Sequence, residues 1–185
     1  IPAILNMDLD EQDNQKAIVN IGSILMRMGI KKLLFDMGIK EEEMIEIPMS
    51  ALNSYDGEYV IMPINMHWMQ DTGNKRLLGM SSRIIPVFLS ISLNDTNLSP
   101  EQIQYLRHYE PIGCRDDRTM QTLRGYGITS YVFGCIAGIL QADNYKNKKT
   151  AAKKIFFADV PYGVKDYIPE EFKENIVFVE QELRK

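Results

Sequence analysis

Apolar and polar positions alternate along the chain in blocks that change period. Residues 3–7 form a short apolar run, residues 8–16 are polar, and apolar side chains then recur at Ile18, Ile21, Leu25 and Met28. Spacings of three, four and three are helical, and Gly29 is expected to interrupt that helix before Ile30, Leu33, Leu34 and Met37 continue a second one. Gly38 is its expected stop. Residues 44–47 and 59–62 read as short strands around the turn-rich Asn53-Ser54-Tyr55-Asp56-Gly57. The longest strand pattern is 84–93, where Val87, Phe88, Leu89 and Ile91 break strict alternation. That is expected of a central strand covered on both faces. Ser99-Pro100-Glu101-Gln102 carries a capping box with Pro at the first helical position, which predicts a helix to about Tyr109 with Ile103 and Leu106 inward. Residues 111–114 form the next strand, Asp116 caps a helix bearing Met120 and Leu123, and Gly127 sits at a left-handed C-cap. Residues 128–133, 155–158 and 176–179 read as strands, with a short helix over 169–174.

Strands alternating with helices over short connections predict an α/β fold: a Rossmann-like, mostly parallel sheet with helices on both faces, its ligands bound beyond the C-terminal strand ends. No internal repeat, low-complexity tract or long linker divides the sequence. Residues 1–185 therefore read as a single domain.

The chain has 185 residues, 45% apolar and 25% charged, an ordinary globular composition. Its formal net charge of −4, without a basic face, lacks the footprint of a nucleic-acid binder. The Lys-rich stretch 146–154 reads as a solvated connector. The apolar stretch 131–140 contains two glycines and is too short to cross a bilayer. Cys114 and Cys135 make neither a disulfide framework nor a zinc motif and read as buried thiols. Asn94-Asp95-Thr96 and Asn97-Leu98-Ser99 match a glycosylation pattern that matters only in a secreted protein. Gly-Lys-Ser/Thr phosphate loops, G-x-G-x-x-G and Gly-x-Ser-x-Gly are all absent.

The most informative stretch is Pro111-Ile112-Gly113-Cys114-Arg115-Asp116-Asp117-Arg118-Thr119. It places a guanidinium and a helix N-terminus at the end of a strand, a combination suited to a phosphate or carboxylate. The competing reading pairs Arg115 with a neighbouring carboxylate. His67, in Asn65-Met66-His67-Trp68, falls at the C-terminal edge of a strand, where it either lines a binding loop or packs beside Trp68. His108 suits the C-terminal dipole of its helix. Asp8, Asp10, Glu11 and Asp13 lack the glycine and distal glutamate of a calcium loop and read as a solvated loop, with no metal site expected.

Residues 88–140, and above all SPEQIQYLRHYEPIGCRDDRTMQTLRGYGITSYVFGC, resemble the polysaccharide pyruvyl transferase family. The family's Arg-Asp, following Thr, L..GI and Gly-Cys are matched by Arg115-Asp116, Thr119, Leu123 with Gly127-Ile128, and Gly134-Cys135. After Gly-Cys the family often has a Thr-containing run, whereas this chain has Ile136-Ala137-Gly138-Ile139-Leu140. The loop holding Asn14, and later Asn20-Ile21-Gly22, loosely resembles the Asn-and-Gly loop that opens the family's first helix.

The resemblance implies one half of a GT-B-like transferase of bacterial type, acting in cell-surface exopolysaccharide synthesis. The pyruvyl group of phosphoenolpyruvate would be transferred to two sugar hydroxyls as a cyclic ketal, without a further cofactor. It implies Arg115, Asp116, Thr119 and, loosely, Asn14 as substrate-binding residues, to which Asn65 and His67 are added from their place at a strand's C-terminal edge. It places the histidine acid in a C-terminal half that has no counterpart before Lys185. No catalytic residue is therefore expected here, and the chain alone is expected to be inactive. The implied partners are phosphoenolpyruvate, a carbohydrate acceptor and that second domain, at a cytoplasmic, membrane-peripheral location. A nucleotide-sugar glycosyl transferase and a non-catalytic binding module are the alternative functions.

Overall fold

The computed structural model describes residues 1–6, 18–65, 67–68, 80–93, 96–140, 154–158, 162–180 and 182–184. Within them β1 (Ala3–Asn6) leads through β2 (Ile18–Asn20) into α1 (Ile21–Asp36). Then come β3 (Ile45–Pro48), β4 (Val60–Ile64), β5 (His67–Trp68), β6 (Ile84–Phe88), β7 (Ser92–Leu93) and α2 (Pro100–His108). β8 (Ile112–Cys114), α3 (Asp117–Gly125) and β9 (Ser130–Val132) follow, and β10 (Ile155–Ala158), α4 (Glu170–Lys173), β11 (Ile176–Val179) and β12 (Glu182–Arg184) complete the order.

The pairings β1–β3, β4–β6, β5–β7, β8–β9 and β10–β11 are all parallel; β12 pairs antiparallel with β2. Isolated parallel bridges, Pro2 to Ile61 and Ile91 to Cys114, connect the first four of these pairs. Side by side, the strands thus run β3, β1, β4 with β5, β6 with β7, β8, β9. From β1 the chain goes to β3 on one side and returns to β4 on the other. This makes the β1–β4 seam the place where the direction of winding reverses.

Parity along β1 separates the two faces. Ala3 and Leu5 join a core with Val60, Met62, Phe88, Leu106 of α2 and Leu123 of α3, whereas Ile4 packs with Ile30 and Leu34 of α1 and with Ile136. Helices therefore lie on both sides of β1, as the alternation predicts. α2 is opened by the expected capping box: the Ser99 N–H donates to Gln102 Oε1 at 2.7 Å and the Gln102 N–H to Ser99 Oγ at 3.3 Å. Gly127 has the expected positive φ, 71°.

Two expectations need correction. Gly29 does not break α1, which runs unbroken from Ile21 to Asp36. A Cβ at Gly29 would lie 2.6 Å from the Ile136 carbonyl oxygen, so its missing side chain serves helix packing against the 136–139 turn. Leu25 and Met28 are exposed, while Gly29, Ile30 and Leu34 are buried. The second correction concerns 84–93, which bends after Phe88 and resumes at β7. It lies between β4 and β8, as expected of a central strand, and residues 90–93 are all buried, but over β6 the burial alternates. Ile85 and Val87, with Ile61 beside Ile85, are 46%, 40% and 51% exposed on the face that α1 covers only in part. The sequence lacks alternation there because the outward residues are themselves apolar.

Candidate functional site at the C-terminal strand ends

Three of the apolar strand runs end in, or contain, polar residues. AILN ends at Asn6, VIMPIN at Asn65, and VFLSIS contains Ser90 and Ser92. All four are buried, with Thr119 of α3 beside them, and of the described buried polar residues only Ser130 lies elsewhere. Burying such groups costs free energy unless each finds a partner, so their hydrogen bonds can be followed one by one.

Asn6 Nδ2 donates to Glu46 Oε2 at 2.9 Å. Arg27 and Lys31 of α1 flank the same carboxylate at 3.1 and 2.8 Å. The Lys31 hydrogen bond chiefly holds the Glu46 carboxyl below its ordinary pKa, against burial, which acts the other way. Ser90 Oγ donates to the Gly134 carbonyl at 2.8 Å. Ser92 Oγ donates to Asp116 Oδ2 at 3.1 Å, the Thr119 N–H donates to Asp116 Oδ1 at 2.8 Å, and Thr119 Oγ1 accepts from the Leu93 N–H at 3.1 Å. Burial alone would raise the Asp116 carboxyl, but these hydrogen bonds and the Arg115 charge outweigh it and hold it below the ordinary value. Asn65 Nδ2 is the exception: at 2% residue exposure it has no hydrogen-bond partner among the described residues.

The predicted substrate-binding residues thus divide. Asp116 and Thr119 are engaged in joining α3 to the end of β7. Arg115 is half-buried at the end of β8, where its N–H extends the sheet to the Ile91 carbonyl at 2.7 Å. The N-terminus of α3 is already partly neutralised by its own cap, and the charge of Arg115 bears on the Asp116 carboxyl. Asn65 ends β4, and His67 stands in β5 in register with Ser92. Counting four residues on from the Pro2–Ile61 bridge places Asn6 beside Asn65 across the β1–β4 seam. Asn14 and the acidic residues Asp8 to Asp13 lie outside the described residues. Asn20, the other asparagine of that resemblance, directly precedes α1.

Sequence reasoning missed Asn6, Ser90 and Ser92. The signal was present: a polar residue closing an apolar strand run marks the strand end where a parallel sheet meets its ligands.

Other features lie apart from this row. An open groove of about 1080 Å³ runs along α2, lined by Tyr105, His108 and Tyr109 among others, but includes none of the strand-end residues. His108 is exposed and stacks edge-on to Tyr109 with centroids 4.8 Å apart. Burial pushes the Cys114 thiol up to about 12, while Cys135, expected buried, is half-exposed. No cluster of metal-ligating side chains occurs among the described residues, and no helix of theirs is long and apolar enough to cross a membrane. No protein-family model, curated protein or solved structure matches the chain.

Proposed function

We propose that the chain is the Rossmann-like half of a GT-B-like polysaccharide pyruvyl transferase, binding phosphoenolpyruvate and a sugar along the C-terminal strand ends. The observation that carries this reading is the coincidence of two independent features. The residues that resemble the family, Arg115-Asp116 and Thr119, stand where β8 gives way to α3, beside a row of buried polar strand ends to which Asp116 and Thr119 are hydrogen-bonded. The transferred group needs a cation for the donor's phosphate or carboxylate, and Arg115 supplies it. Asp116 and Thr119 act one step back, anchoring the loop from which Arg115 projects. The donor's methylene carbon must also be protonated; that acid is assigned to the second domain, so the chain alone binds without transferring.

The test is calorimetric titration with phosphoenolpyruvate of the unmodified chain and of Arg115→Ala. Loss of one hydrogen bond to a charged group should weaken binding by about 1.5–3 kcal/mol, with the melting temperature little changed. Equal affinity in a folded Arg115→Ala protein removes the donor site from this strand end. Formation of ketal-linked pyruvate by the chain alone removes the division of labour between the halves.

A further inference from the structure

We propose that Asn65 is the sugar-side contact of the strand-end site, its Nδ2 donating to an uncharged oxygen, a hydroxyl of a neutral hexose. The sugar as ligand rests on the function proposed above; the polar contact rests on geometry alone.

Among the buried strand-end side chains, Asn6, Ser90, Ser92 and Thr119 have hydrogen bonds within the fold, and only Asn65 carries an orphaned donor. A buried amide with no partner lowers stability, so it persists at a cost unless something else occupies it. Its position is informative as well. It ends β4 next to Asn6, at the seam where the winding reverses and where open parallel sheets leave a crevice between diverging connections.

The chemistry of the occupant follows from the surroundings. The neighbour of Asn65 on the seam, Asn6, is bound to Glu46, whose carboxylate Arg27 and Lys31 compensate. An uncharged hydroxyl accepts from the Asn65 amide without the cost of burying a charge, which an anion there would incur. Because Nδ2 is out of contact with solvent, the ligand oxygen takes the place of the atoms that now cover it. Arg115 stands two strands away, on the order of 10 Å at ordinary strand spacing. That separation leaves room for a hexose on Asn65 and a small anion on Arg115 side by side.

A binding amide and a structural amide make opposite predictions for Asn65→Leu, which keeps the shape and deletes the whole amide, Oδ1 together with the orphaned donor. In the absence of ligand, the variant should melt about 2–4 °C higher than the unmodified chain, because an unsatisfied buried group has been removed. In nitrogen-15 spectra of the unmodified chain, the Asn65 side-chain amide resonances should move on titration with methyl glucoside, methyl galactoside or methyl mannoside, and stay in place with inorganic phosphate. The backbone shifts that accompany hexoside binding should vanish in Asn65→Leu and persist in Arg115→Ala. An Asn65 amide unmoved by all three hexosides overturns the proposal without recourse to any variant. So does a folded Asn65→Leu protein that still responds to hexoside. Failure of phosphoenolpyruvate binding with the hexoside response intact rejects pyruvyl transfer and leaves the Asn65 contact standing.

Discussion

Asp116 illustrates how one carboxylate can be claimed by structure and by chemistry at once. It accepts from the Thr119 N–H and from Ser92 Oγ, so both oxygens are engaged in joining α3 to β7. Asp116→Ala should therefore cost about 0.5–2 kcal/mol at neutral pH, the usual range for a lost N-cap. The pH dependence has a definite sign. The folded-state pKa is depressed, so the stabilisation is present above the unfolded value near 3.9 and is lost as pH falls through the folded one. Urea unfolding of both proteins at pH 7 and again at pH 3 should show the gap between them narrowing at the lower pH. The Cys114 thiol gives a second expectation at this scale. Burial holds it protonated far above neutrality, so iodoacetamide at pH 8 should label Cys135 in the native chain and reach Cys114 only after denaturation. Peptide mapping before and after adding urea distinguishes the two.

Among the elements, the seam between β6 and β8 depends on the absence of a side chain. A Cβ at Gly113 would stand 2.6 Å from the Leu89 carbonyl oxygen and 2.9 Å from its carbon, both backbone atoms that cannot swing aside. Gly113→Ala should force β8 outward, strain the Ile91-to-Gly113 hydrogen bond and cost about 1–3 kcal/mol by equilibrium unfolding. Because Arg115 is anchored to Ile91 two residues further on, the same change should also disturb the strand end that carries the guanidinium. Gly125, at the end of α3, makes the opposite case. Nothing lies within 4 Å of its Cβ position, and alanine there should stabilise by about 0.4–1 kcal/mol through the lost freedom of the unfolded chain. A midpoint that moves the same way in both variants would show that the two glycines are not distinguished by the space around them.

Taken as a whole molecule, the fold was legible where local chemistry and burial agree. The capping box at Ser99, the cap at Asp116, the turn at Gly127 and the apolar strand cores all announce themselves within a few residues. Gly29 was misread because its role depends on Ile136, more than a hundred residues away, and a local pattern cannot tell a glycine that breaks a helix from one that admits a neighbour. The burial of 84–88 departs from the expectation for a related reason: apolar composition reports what a residue could be packed against, not whether anything packs there. Of the candidate site, Arg115 and Asn65 were legible as strand-end residues. The accounting that sets Asn65 apart required the partners of every neighbouring group.

The outward row of Ile61, Ile85 and Val87 also bears on how the isolated chain behaves in concentrated solution. Salts that strengthen apolar association should precipitate it at lower concentrations than its acidic isoelectric point and net charge alone would suggest. Replacing Ile85 with threonine keeps a β-branched residue in the strand while making this row more polar. The variant should stay in solution to higher ammonium sulfate and leave a phenyl column earlier, with its unfolding midpoint nearly unmoved.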